Sequence, residues 1–195
     1  MLDYILDESR LVLTPTISDN PMAYVRNQMD PAEHGPFDPE TSVVLAQPFF
    51  SHLLHDALVR AGRRDLLQTR CLKWWPQIER GNTALEEYWE AKPGSGSRCH
   101  AWSATPTYDL TTHVLGVKPL KPGYAEAEIA PWFGTLRHLE GVVPMPKGLI
   151  EVTINRDRGG EVVIPEGVIA HVRFDDAPLA GGRFGAGRHL IEPAK

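Results

Sequence analysis

Past Gly116 the apolar residues of this chain change their period, so no single type of secondary structure accommodates both halves. Before it, Phe50, Leu53, Leu54, Ala57, Leu58 and Ala61 recur at helical spacing and close on Gly62. The stripe resumes after Asp65, a fair N-cap, with Leu67, Cys71, Trp74, Trp75 and Ile78, and ends at Gly81. That pattern predicts an antiparallel helical hairpin with a very short turn. Pro76 would bend its second helix unless that helix ends early. A third helix is expected to start between Ser103 and Pro106, where proline is tolerated, and to stop at Gly116. Beyond it the period is two. Ala125, Ala127 and Ile129 alternate with Glu126 and Glu128, and Ile150, Val152 and Ile154 with Glu151 and Thr153. Val168, Ala170, Val172 and Phe174 alternate with Ile169, His171 and Arg173, and turns such as "VPMPKG", "RDRGGE" and "IPEG" separate the runs.

The expected organisation is therefore α+β: an irregular, proline-rich stretch over residues 1–40, a helical segment over 41–116, and a small antiparallel β-sandwich over 117–195. Three helices with wide apolar stripes cannot cover one another. The helical part reads as an incomplete layer that packs on the sandwich, on another copy, or on further sequence.

Composition narrows the partner. The formal charge is −5 with basic residues scattered, which leaves no footprint for a nucleic-acid backbone. No apolar run approaches the roughly 20 residues that span a bilayer. Two cysteines, Cys71 and Cys99, fit neither a disulfide framework nor a zinc spacing, and "MLDYILDESR" is no signal peptide, so a cytoplasmic location is expected. "LAGGRFGAGRH" lacks the lysine and the strand-to-helix setting of a phosphate loop. No cofactor is expected.

Several residues invite chemistry but have plainer explanations. His52 and His55 form H-x-x-H without a third ligand in sight, so no metal is expected there. Cys99 and His100 are neighbours, whose side chains point apart on a helix, which disfavours a thiol–imidazole pair. Trp74 and Trp75 lie on the apolar stripe and are expected in a core or interface.

Four stretches, in order, carry a resemblance: "SRCHAWSATPTYDL", "LGVKPLKPGYAEAEIAP", "FGTLRHLEGVVPMPKGLIEV" and "GRHLIEP". Together they resemble the carboxy-terminal portion of bacterial α-L-rhamnosidases, glycoside hydrolase family 78. The resemblance implies the last part of an (α/α)6 barrel running into a closing β-sandwich. It also implies an inverting hydrolysis by two carboxylates set roughly 6.5–9.5 Å apart, with no cofactor and an L-rhamnosyl group as substrate. In that family the base lies just before the "CHAWSA" helix, in a run like G-x-T-T-x-x-E. "GNTALEE", Gly81 to Glu87, puts Glu87 on that position, with Ala84 where a second threonine is usual and Glu86 where tryptophan or alanine is frequent. Glu90, after Trp89, is the competing choice; Gly81 and Thr83 favour Glu87. His100 matches a histidine that lies against the sugar, and Trp89 and Trp102 could offer a deoxy sugar a flat apolar face. The family's proton donor sits far upstream, and nothing in residues 1–40 resembles it. The expectation is a fragment or truncated relative carrying the base side of the site without its acid and nearly inactive alone. The alternative is a non-catalytic carbohydrate-contacting or assembly module.

Overall fold

The structure is a computed structural model that describes residues 46–89 and 96–194, together with the backbone of 11–12 and 43–44. Its contacts divide it into two compact units. The first draws on residues up to Arg63 and on Thr69–Thr105, the second on Arg64–Gln68 and on everything from Pro106 onward. Strand β1 (Leu11–Val12) pairs in parallel with β2 (Val43–Val44); the remainder of the stretch expected to be irregular lies outside the described residues.

In the first unit a 3-10 turn at Pro48–Phe50 leads into helix α1, Ser51–Arg60. Ser51, His55 and Leu58 form its buried stripe, as helical spacing requires. Gly62, at φ 74°, ends α1 in the left-handed region. Its amide donates to Val59 O and that of Arg63 to Leu58 O, the paired bonds that satisfy the last carbonyls of a helix. His52 is exposed while His55 is fully buried against the edge of Trp74, so the two imidazoles do not share a ligand-holding face.

Helix α2 (Arg64–Cys71) begins one residue before the expected cap, with Asp65 in its first turn, where the helix dipole favours an acid. The expected long second helix is not continuous. A 3-10 turn at Leu72–Trp74 interrupts it, and α3 (Trp75–Glu79) restarts with Pro76 in the first turn, where a missing amide costs nothing. That break rotates the stripe. Trp74 is buried and its indole N–H donates to Ser103 O at 2.8 Å, whereas Trp75 and Ile78, expected on the same face, are 55% and 52% exposed. The third helical stretch opens as a 3-10 turn at Ala101–Ala104, continues as α4 (Thr105–Asp109) and widens into a π-turn at Leu110–Val114.

The second unit holds two four-stranded sheets built from β3 (Val117–Pro119), β4 (Glu126–Ile129), β5 (His138–Met145), β6 (Gly148–Asn155), β7 (Gly159–Ile164), β8 (Ile169–Val172), β9 (Gly182–Phe184) and β10 (Gly187–Ile191). Their orders are β10-β7-β6-β5 and β3-β4-β8-β9. The α+β class and the sandwich are as expected from the period change. One pairing departs from the all-antiparallel expectation: β4 and β8 run parallel, Ala127 facing Ala170. The connection that this requires is the entire β5–β6–β7 meander, long enough to return the chain in the same direction. Ile150, Val152 and Ile154 are fully buried, as are Ala127, Ile129, Val162 and Ala170, so the alternating residues make the core.

Phe133, also fully buried, sits in a loop held by charge rather than by pairing. The Asp176 carboxylate accepts the amides of Phe133 (3.0 Å) and Gly134 (2.8 Å), while Arg156 donates to Gly134 O and Asp176 O, both at 2.9 Å. Replacing Asp176 with alanine strands two amides, and hydrogen bonds to a charged acceptor are worth about 1.5–3 kcal/mol each. Asp176→Ala is expected to cost about 3–6 kcal/mol in urea unfolding. A loss within about 0.5 kcal/mol would mean that Phe133 packing alone fixes the loop.

Candidate functional site

Between α3 and the 3-10 turn at Ala101 the chain runs out and back, and three hydrogen bonds tie the two arms. The His100 amide donates to Leu85 O at 2.9 Å and the Glu87 amide to Ser97 O at 2.9 Å; the Ser97 amide in turn donates to Glu87 Oε2 at 2.9 Å. Glu87 is thus held both through its backbone and through one carboxylate oxygen. The same oxygen stands 3.9 Å from His100 Nδ1, beyond hydrogen-bond length but close enough for an ion pair when the imidazole is protonated. Phe49 and the His100 ring pack in a T-shaped arrangement with centroids 5.7 Å apart, a second contact that restrains the imidazole. Both side chains keep part of their surface in solvent, 22% for Glu87 and 29% for His100.

The two tryptophans differ. Trp89 is built into the unit: its indole N–H donates to Ala46 O at 2.8 Å, its amide to Gln47 Oε1 at 3.1 Å, and its ring meets Trp74 edge-on at 4.7 Å. With its one polar group engaged, Trp89 can offer only ring surface. Trp102 is 73% exposed, at the head of the 3-10 turn two residues after His100. Glu90 lies outside the described residues. Cys99 is exposed, and its amide is 3.2 Å from Ser97 Oγ.

Glu86 has a different set of partners from Glu87. It is buried, with Oε2 accepting from Arg80 Nη2 at 3.0 Å and its amide donating to Gln77 Oε1 at 2.9 Å. Glu87, the next residue, takes different partners, Ser97 and His100.

Sequence reasoning did not single out Phe49, Ser97, Arg80 or Gln77. Ser97 acts through its backbone amide, which no side-chain pattern reports. Phe49 belongs to an apolar pair ahead of α1, and Arg80 and Gln77 look like ordinary polar positions of a surface helix. Both Glu87 contacts fall on Oε2, and Oε1 makes none among the described residues. A carboxylate fixed by one oxygen and open at the other can accept a proton from a water molecule on that side.

Residues 116–182 match the family described as the bacterial alpha-L-rhamnosidase C-terminal domain. The alpha-L-rhamnosidase of Alteromonas sp. (strain LOR) is 33% identical over 115 residues, a match that takes in 52% of this chain and 12% of that protein. The GH78 family rhamnosidase of Bacillus sp. GL1 superposes with a TM-score of 0.59 at 32% identity, covering 71% of this chain and 16% of its own. The Streptomyces avermitilis alpha-L-rhamnosidase, solved with L-rhamnose, superposes with a TM-score of 0.59 at 20% identity, covering 73% and 17%. The chain thus spans less than a fifth of the length of each of these proteins. Residues 116–182 thus match the C-terminal domain of bacterial α-L-rhamnosidases, and the chain, a helical segment leading into a two-sheet sandwich, is similar to the corresponding part of glycoside hydrolase family 78 proteins.

Proposed function

We propose that the helical segment carries the base side of an inverting α-L-rhamnosidase site, in which Glu87 deprotonates the attacking water and His100 and Trp102 hold the L-rhamnosyl group. The observation that carries this reading is the convergence on Glu87 Oε2 of the Ser97 amide and the His100 imidazole. It fixes the carboxylate's direction while leaving its other oxygen able to reach water. Trp89, packed on Trp74, supplies a rigid wall rather than a mobile contact. The proton donor is not among the described residues in this reading, so the acid comes from polypeptide outside them.

A poor leaving alkoxide needs that acid, and general acid assistance is typically worth about 10²–10⁴-fold. The 195-residue chain is therefore expected to turn over 4-nitrophenyl α-L-rhamnoside at least about 10²-fold more slowly than a complete family member, while still binding L-rhamnose in calorimetry. Trp102→Ala is expected to weaken that binding about tenfold, the loss of roughly 1.4 kcal/mol of ring contact. Robust turnover that survives Glu87→Gln would remove the base assignment.

A second reading is favoured by Phe50, Leu53, Leu72, Trp75 and Ile78, each at least half exposed on the first unit. Joined in one patch, these side chains would serve as an assembly face. In that reading the chain docks helical polypeptide and does no chemistry. A monomer in light scattering that binds L-rhamnose supports the first reading; self-association without sugar binding supports the second.

A further inference from the structure

We propose that the Arg80–Glu86 ion pair is a positioning device for Glu87, setting the direction of the base from the preceding residue. The inference rests on Glu87 being the base, but its structural half can be tested apart from that role.

The loop from Asn82 to Glu87 is anchored on two sides. On one, the Asn82 amide donates to Gln77 O at 3.2 Å, the Glu86 amide to Gln77 Oε1 at 2.9 Å, and Arg80 Nη2 to Glu86 Oε2 at 3.0 Å. On the other are the bonds to Ser97 and His100 already described. Gln77 is 1% exposed, so its amide group cannot swing to water and serves as a fixed post. Glu86 is 7% exposed while Arg80 stands about half in solvent, so the pair brings a charge inward from the surface.

A carboxylate so buried is costly unless paired. Removing the guanidinium leaves Glu86 an uncompensated charge, and the least costly response is rotation of the side chain out to water. Glu87 is the adjacent residue, so a displacement of the backbone at Glu86 moves the Glu87 carboxylate with it. The Ser97 amide then loses Oε2. Uncharged residues at position 86 would place no such demand on Arg80, so the coupling belongs to this chain's own departure from the family pattern at Glu86.

The test follows two protons in the full chain by NMR. The Ser97 amide reports the direction of Glu87, and the Trp74 indole N–H, bonded to Ser103 O, reports the integrity of the unit. Arg80→Met is expected to speed exchange of the Ser97 amide at least about tenfold relative to the Trp74 indole, and Arg80→Lys to restore most of the protection. Glu86→Gln, which can stay inward as a neutral amide, is expected to leave the Ser97 amide close to wild type. Unchanged Ser97 exchange in Arg80→Met, or equal loss at both protons, would overturn the proposal, the latter because the pair would then merely hold the fold. Should Arg80→Met prove unfolded, Arg80→Lys alone decides through the Ser97 chemical shift: a shift near wild type supports positioning by charge, and one matching Glu87→Ala, which has no side-chain acceptor for that amide, opposes it. Failure of Glu87 as the base would appear elsewhere, as turnover or sugar binding indifferent to Glu87→Gln.

Discussion

Glutamine at position 87 is expected to lower kcat about 10²–10⁴-fold once the rest of a barrel is present. The measurement uses a graft in which residues 46–194 replace the matching stretch of the Bacillus sp. GL1 rhamnosidase, a protein similar to this chain over 71% of its length. Glutamine retains a carbonyl oxygen to accept the Ser97 amide, so the two arms of the loop stay tied and the proposed sugar-holding residues keep their places. What it loses is the ability to take a proton from water. An interaction made only in the transition state lowers kcat and kcat/KM together, with KM nearly unmoved. Trp102→Ala provides the contrast: a ring contact present before and during reaction should raise KM with kcat little changed. Equal turnover in the graft with Glu87 or glutamine would transfer the base role elsewhere, with Glu90 the next candidate.

The sandwich could be read from the chain because its signal is redundant. Ile150, Val152 and Ile154 alternate with polar residues over several turns of the pleat, and any one-residue slip would put all of them in water. The parallel pairing of β4 with β8 left no such mark, since alternation is the same for either direction. The break at Leu72–Trp74 was announced only by Pro76, and a proline in a helical pattern does not say whether the helix bends or ends and restarts. For the proposed site, the run from Gly81 to Glu87 pointed to Glu87 through the family resemblance, and the structure sets that carboxylate 3.9 Å from the imidazole of His100, thirteen residues on. The partners that hold it in place were invisible for a physical reason. Backbone amides, as at Ser97, and a neutral glutamine, as at Gln77, carry no sequence pattern that distinguishes a fixed post from a solvated side chain.

Gly116→Ala is expected to be severely destabilising to the second unit, costing about 4 kcal/mol or more. Gly116 adopts φ 80°, where an L-residue costs roughly 1–2 kcal/mol on its own account. The larger part is steric. A Cβ there would lie 2.1 Å from Ala130 O and 2.8 Å from Pro131 N, backbone atoms that cannot turn aside. Those atoms belong to the continuation of the β3–β4 ladder: Gly116 O accepts the Ala130 amide at 3.0 Å and Val114 O that of Trp132 at 2.9 Å. Moving them pulls Val117 from Ile129, its partner in register, and both are core residues. Gly62→Ala separates the two contributions, since Gly62 has nearly the same φ, 74°, and nothing within 4 Å of the added carbon. It should cost only the conformational 1–2 kcal/mol or so. In urea unfolding followed by near-ultraviolet circular dichroism, the two variants must differ by at least about 2 kcal/mol; equal losses would show that the Ala130 backbone yields and that β3 is not held against β4 by the glycine.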